Sequence, residues 1–343
     1  MNRNIILAML SRIILGAGVV LLLPMLLSLY YGGPVLSFLL PAALSFLLYL
    51  IFRKKGISPN DSLTPREGTA ITALTWLSVS LIYAIPYALS GALSPLDGLV
   101  ESISGLTGTG ATVMDDLTIL PPSILFFRAM THWLGGLGII VIFVALFPQA
   151  GRGTTKMVNA ESTGPTSSKP LPRIKETAMA LFAVYFCFTA AAAAAYMLWG
   201  MGFLEALDHA FSTIATGGFS TRNESIAYYH SASLEMIITF FMVISSANFG
   251  IYVDAWKRGL HVIWKDTEFR VYLALVAGAV LLLTTSLVLQ GHMPLLESLR
   301  EAIFHSASLS STTGFVAADF DQWPSFAKFI ILLLIIIGGC GGS

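Results

Sequence analysis

The chain has 343 residues, of which 55% are hydrophobic and 11% charged, with Lys plus Arg and Asp plus Glu at 19 each. A soluble globular domain carries about 25% charged residues, so this surface is not built for water, and a net charge of zero leaves no basic footprint for nucleic acid. The two cysteines, Cys187 and Cys340, lie in separate apolar runs, which argues against a disulfide framework and any CxxC metal spacing.

Arg3 and Arg12 lead into an apolar run from Ile13 to Leu27, the layout of a signal peptide. No A-x-A-like cleavage site follows and a second apolar run begins at once, so a retained membrane helix is expected. Apolar spans are predicted near residues 5–29, 35–52, 70–90, 123–147, 176–199, 233–253, 270–290 and 326–337. With the N-terminus inside, the inside segments collect Arg3, Arg12, Arg53, Lys54, Lys55, Arg66, Arg152, Lys156, Lys169, Arg173, Lys175, Lys257, Arg258, Lys265 and Arg270, which is 15 of the 19 basic residues. Only Arg128, Arg222, Arg300 and Lys328 fall elsewhere. Cytoplasmic loops hold the Lys and Arg, so the N-terminus is expected in the cytoplasm. The stretch from Gly151 to Pro172, rich in Gly, Ser, Thr, Pro and Lys, reads as a flexible cytoplasmic linker or as a place for a regulatory subunit to bind.

The outside loops carry PLDGLVESISGLTGTGATVMDDL, GFLEALDHAFSTIATGGFSTRN and PLLESLREAIFHSASLSSTTGFVAADF. Each offers a helix-compatible stretch too short to span a bilayer and ends in a Thr-Gly cluster, as a re-entrant element does. Aligned on Thr109-Gly110, Thr216-Gly217 and Thr313-Gly314, they form a repeat of outward helix, short helix, Thr/Gly strand and inward helix. Two crossings per unit keep successive units in one orientation, unlike inverted repeats. An ion leaving water needs oxygens in place of its hydration shell, and backbone carbonyl rings supply them. Aiming successive carbonyls at one axis needs unusual dihedrals, which Gly tolerates, and Thr adds a hydroxyl. The bland alternative is a set of small residues for helix packing, which belong inside spans rather than between them.

ESISGLTGTGATV at 101–113, HWLGGLGIIV at 132–141, PRIKETA at 172–178, HAFSTIATGGFSTRN at 209–223, SSTTGFVAADFDQWP at 310–324 and IGGCGGS at 337–343 make the resemblance specific. The chain resembles the Trk/Ktr/HKT superfamily of potassium uptake proteins, in its TrkH-type branch, over essentially its whole length. The resemblance implies an all-α polytopic fold of helix–pore helix–filter strand–helix modules around a pore, preceded by two extra N-terminal transmembrane helices. It places the filter strands at Thr107, Gly108, Thr109, Gly110 and Ala111, at Ala215, Thr216, Gly217, Gly218 and Phe219, and at Thr312, Thr313, Gly314 and Phe315. The selectivity glycines would be Gly110, Gly217 and Gly314, and glycine at all three favours K⁺ over Na⁺. It further implies a homodimer, a cytoplasmic nucleotide-binding regulatory subunit and a bacterial inner membrane as the setting. The family has four repeats and three are found here. The last apolar run, about 12 residues before Gly338, is short of the ~20 a spanning helix needs, so an incomplete inner helix is expected. The parts are then residues 1–56 (N-terminal helix pair), 66–150 (repeat 1), 151–173 (linker), 174–256 (repeat 2) and 268–343 (repeat 3).

The remaining polar residues carry less. The six histidines show no HExxH and no i, i+4 pair, so no transition-metal site is expected. Asp208 and His209 could shape the mouth's field or simply solvate at the interface. Asp115, Asp116, Asp319 and Asp321 follow the first and third clusters, where acids can concentrate cations or be ordinary loop residues. Gly135, Gly136 and Gly138 lie in a span and suit close helix approach. Trp76, Trp133, Trp199 and Trp323 read as interfacial anchors. The spans look nearly free of ionisable residues, which counts against an intramembrane enzyme or a carboxylate-driven proton carrier. The sequence therefore predicts a K⁺-translocating membrane subunit and no enzyme. A Na⁺-permeable relative is the second reading and a non-conducting membrane scaffold the third.

Overall fold

A computed structural model of the chain describes residues 3–53, 64–138, 171–290 and 293–340, without the side chains of residue 65 and of 171–175. The described residues form α-helices and short 3₁₀ turns joined by loops, with no strand among them. They fall into two compact units, residues 1–183 and 184–343.

In the first unit α1 (Arg3–Val20) and α2 (Leu22–Tyr31) form one apolar stretch of 29 residues, followed by α3 (Val35–Phe52), α4 (Pro65–Leu89), α5 (Pro95–Thr107) and α6 (Pro122–Gly136). Local chemistry sets where these helices start. Thr64 and Glu67 make a capping box: the Glu67 N–H donates to Thr64 Oγ1 at 3.3 Å and the Thr64 N–H to Glu67 Oε2 at 2.9 Å. Ser94 caps α5 through the Asp97 N–H, and a proline opens each of α4, α5 and α6, where its missing N–H costs nothing. The N-terminal helices pack onto this first module: Tyr83 Oη donates to the Ala17 carbonyl at 3.2 Å and Ser28 Oγ to Ser123 Oγ at 2.7 Å. Phe127 of α6 is the hub, buried with its ring 5.2–5.5 Å from those of Phe38, Tyr83 and Tyr87.

α7 (Leu171–Leu198) runs across the boundary. The second unit continues with α8 (Phe203–Ile214), a 3₁₀ turn (Ser225–Tyr229), α9 (Ala232–Ser245), α10 (Phe249–Arg258), α11 (His261–Lys265), α12 (Thr267–Leu289), α13 (Leu295–Ser310) and α14 (Ser325–Ile337). Short α13 sits against α9, α12 and α14. Its Ala302 joins Leu283 and Leu287 of α12 and Ala327, Ile331 and Leu334 of α14 in one apolar core.

Among the described residues five helical stretches are long and apolar enough to cross a membrane, and the bent pair α9–α10 counts as a sixth. That pair corrects the sequence reading of 233–253 as one continuous span: the chain bends 85° between Ser245 and Phe249. Ser245 and Ser246 return their hydroxyls to the carbonyls of Met242 (3.0 Å) and Val243 (2.8 Å), and Asn248 leaves the helical region to cap a new helix through the Gly250 N–H at 2.8 Å. α10 then carries Lys257 and Arg258 in its last turn and a fully exposed Trp256, a composition for an interface rather than a bilayer core. The span expected at 123–147 is described only as far as residue 138 and the linker at 151–173 only from 171; His292 also lies outside the described residues.

Candidate functional site

Three short helices, α5, α8 and α13, each end in the Thr/Gly cluster that the sequence singled out. The backbone of these clusters repeats. Gly108 and Gly110 have φ of 68° and 74°, Thr216 and Gly218 have 53° and 78°, and Thr312 and Gly314 have 61° and 80°. Thr109, Gly217 and Thr313, between them, are not in that left-handed region. Positive φ at every second residue lets a chain turn successive carbonyls toward one side, a backbone that glycine tolerates. A chain that aims its carbonyls this way can replace water around a cation. The closing hydrogen bonds repeat too: the N–H groups of Gly108, Thr216 and Thr312 donate to Gly105, Thr213 and Leu309, and those of Thr109 and Gly217 to Ser104 and Ser212.

Two of the left-handed residues are threonines. A β-branched residue at positive φ is strained, by ~1–3 kcal/mol, and persists only where its surroundings over-determine it, as functional sites do. Gly218 has a second constraint, since a Cβ there would drive into the Thr313 carbonyl, so the second and third turns pass backbone to backbone. Val316 joins them further: its carbonyl accepts the N–H groups of Ile226 (3.0 Å) and Ala227 (3.1 Å), and its N–H reaches Ser225 Oγ at 3.3 Å.

The geometry shifts one register. Alignment on Thr-Gly pairs Gly217 with Gly110 and Gly314, but dihedrals and hydrogen bonds make Gly218 their counterpart and Thr216 the counterpart of Gly108. Two adjacent glycines, Gly217-Gly218, hid this in the sequence. Ala215 is the right-handed cap of α8, and Thr107 is the last residue of α5, its hydroxyl spent on the Ile103 carbonyl (2.8 Å) and on Thr109 Oγ1 (2.7 Å). Ala111 and Phe219 follow their turns directly; Phe315 is buried, and its carbonyl accepts Ser308 Oγ at 2.7 Å.

The sequence reading missed the ion pairs behind the turns. Glu101 and Arg128, 0% and 3% exposed, pair at 2.5 Å. Glu205 accepts Arg222, whose guanidinium lies 4.2 Å over the Tyr228 ring. Arg300 bridges Glu235 (3.2 Å) and Glu301 (3.1 Å). Arg128, Arg222 and Arg300 are three of the four basic residues that the charge asymmetry left outside the cytoplasmic loops, one per repeat. That surplus was the signal in the sequence; the partner of each could not be read there. Burial, and behind it the Glu205 carboxylate, push the phenol of Tyr229 up to about 12, so it stays neutral at physiological pH.

Asp208 and His209 are both buried, which removes the reading of them as solvated interface residues. His209 Nδ1 meets the Glu205 carbonyl at 2.8 Å, so it carries the proton, and Nε2 faces Ser220 Oγ at 3.0 Å. Trp323 is no interfacial anchor: it is 2% exposed and packs 5.0 Å from the His305 ring. Two of the four acids after the turns are tied up locally, Asp116 by the N–H and hydroxyl of Thr118 and Asp319 by the Asp321 N–H and the Gln322 side chain. Gly135 fits the close-approach reading, since a Cβ on it would strike the Leu106 carbonyl at the end of α5. Among the described residues no group of three metal-ligating side chains occurs.

A short helix followed by a turn with positive φ at alternate residues, used three times between apolar helices, defines a polytopic membrane protein. Residues 42–343 match the family model TrkH, described as a cation transport protein. The Trk system potassium uptake protein TrkH of Halomonas elongata is 42% identical over 285 residues, which cover 82% of this chain and 59% of that protein. The protein of the same description from Escherichia coli K12 is 38% identical over 314 residues, 90% of this chain and 64% of its own length. The crystal structure of the potassium transporter TrkH from Vibrio parahaemolyticus superposes with a TM-score of 0.88 at 32% identity, covering 100% of this chain and 72% of the other. The chain belongs to the TrkH family of cation transport proteins. It spans about three fifths of the length of these sequence relatives.

Proposed function

We propose that the chain passes K⁺ across a bacterial inner membrane as the translocating subunit of a Trk-type uptake system, through a filter to which Gly108–Ala111, Thr216–Phe219 and Thr312–Phe315 contribute backbone carbonyls. The thrice-repeated turn with positive φ at alternate residues is the observation that carries this reading, because such a backbone can present successive carbonyls to a dehydrated cation. Relatives named for potassium uptake supply the ion. Residues 1–56 are then an N-terminal helix pair, and 66–150, 174–256 and 268–343 three filter-bearing repeats. The basic residues put the N-terminus and the 151–173 linker in the cytoplasm. Kinship alone supports a homodimer with a cytoplasmic nucleotide-binding regulatory subunit.

The test is Rb⁺ or K⁺ flux against Na⁺ flux in vesicles holding the complete protein as its reading frame encodes it. Gly110→Ser and Gly218→Ser should each lower the K⁺/Na⁺ ratio by about tenfold, the factor that ~1.4 kcal/mol represents. An unchanged ratio in both variants overturns the filter assignment, and a wild-type protein that prefers Na⁺ overturns the ion.

A further inference from the structure

The corrected register brings another position into view. Counting back nine residues from Gly110, Gly218 and Gly314 gives Glu101, His209 and His305, one on the buried side of each short helix. Counting forward two gives Thr112, Ser220 and Val316. In the first repeat these positions are joined: Thr112 Oγ1 lies 3.1 Å from both Glu101 oxygens, and the Val113 N–H donates to Glu101 Oε2 at 3.1 Å. Arg128 Nε, from the returning helix α6, holds Oε1. One carboxylate thus ties the short helix, the outer end of the turn and α6 together. In the second repeat the same two positions meet through neutral groups, with Ser220 between His209 Nε2 (3.0 Å) and the Arg222 N–H (3.1 Å). In the third, the apolar side chain of Val316 has no hydrogen-bonding group. That turn is held by Ser308 on the Phe315 carbonyl and by the Ser225–Ala227 turn, while His305 meets the Glu301 carbonyl through Nδ1 at 3.0 Å, touches the Ala318 backbone and packs its ring on Phe304, Phe320 and Trp323.

We propose that Glu101 is a positioning residue for ion selection: clamped by Arg128, it fixes the outer end of the first turn through Thr112 and Val113. The equivalent His209 does the same more weakly for the second turn, and His305, which finds no polar side chain at Val316 and reaches only the backbone of Ala318, does so least for the third. This rests on the filter reading and adds a ranked dependence on three repeat-equivalent residues. The physical ground is that hydrogen bonds to a charged group are roughly twice as strong as neutral ones, and a turn whose dihedrals are unfavourable needs its ends fixed.

The experiment measures the K⁺/Na⁺ flux ratio and the KM for K⁺ in vesicles, at matched amounts of inserted complete protein, for Glu101→Gln, His209→Gln, His305→Gln and Gly110→Ser. The ratio should fall by about tenfold in Glu101→Gln, less in His209→Gln and by under about twofold in His305→Gln, the first being ~1.4 kcal/mol. A purely structural role would lower the amount inserted or the maximal flux and leave the ratio alone. A wild-type ratio in Glu101→Gln beside a lost ratio in Gly110→Ser overturns the positioning role and leaves the filter standing. Wild-type ratios in both overturn the filter itself. An effect of His305→Gln as large as that of Glu101→Gln overturns the ranking. Should Glu101→Gln fail to insert, Thr112→Val decides, because it removes one bond to the carboxylate and keeps the Glu101–Arg128 pair. A smaller shift in the same direction supports the role, and no shift overturns it.

Discussion

The first and third Thr/Gly turns share a backbone and differ in what holds it. Behind the first stands a buried carboxylate clamped by an arginine, all within one repeat. Behind the third stand a serine on its own short helix and backbone bonds to a turn of the preceding repeat. The dihedral pattern is the invariant, since carbonyl direction depends on φ and ψ alone. The supporting side chains need only supply hydrogen bonds, and those can come from a charge, a hydroxyl or a neighbouring main chain. A duplicated module can therefore keep its turn while its scaffold diverges.

The largest expected effect separates the two scaffolds. Arg128→Met leaves the Glu101 charge buried without its cation and should cost ~3–5 kcal/mol of stability, whereas Glu101→Gln with Arg128→Met should recover much of it. Arg300→Met should cost less, because its guanidinium is 36% exposed and water shares its charge. Thermal unfolding of the detergent-purified protein measures all three. Equal losses at Arg128 and Arg300 would break the contrast between a sealed and a wetted support.

The next effect sharpens the register. Gly218→Ala puts a Cβ on a left-handed residue, at ~1–2 kcal/mol, and aims it at the Thr313 carbonyl. Gly217→Ala meets no such φ. Ion flux should be lost in the first variant and substantially kept in the second. The reverse result would restore the register read from the Thr-Gly pairs.

Much of this was legible beforehand, for physical reasons. Apolar run lengths and the Lys/Arg asymmetry mark spans, because lipid tolerates neither exposed charge nor unpaired backbone. Thr-Gly clusters between spans mark the turns, because left-handed φ favours glycine. Neither signal resolves one residue: Gly217-Gly218 offers two glycines where one is left-handed, and only dihedrals choose. The 85° bend at Ser245–Asn248 was hidden because apolarity runs from Met236 to Ile244 and resumes at Phe249, while the break depends on hydroxyl and amide caps. The pairing of Glu101 with Arg128 was hidden because 27 residues and a turn separate them.

The smallest effect tests the strain itself. Thr312 holds φ 61° where the first repeat uses Gly108 at 68°. Its hydroxyl donates to the Ser311 carbonyl at 2.6 Å, a local bond that does not reach another element. Thr312→Gly should release ~1–3 kcal/mol of backbone strain and give back ~0.5–1 kcal/mol through glycine's greater freedom when unfolded. The unfolding temperature should therefore rise slightly, and Gly108→Thr should lower it by a comparable amount. Flux at the more stable Thr312→Gly then separates two uses of the threonine. If selection is kept, the residue was tolerated and the dihedral alone matters. If selection falls while stability rises, the strained threonine is there for its side chain at the ion's path, and stability has been exchanged for it.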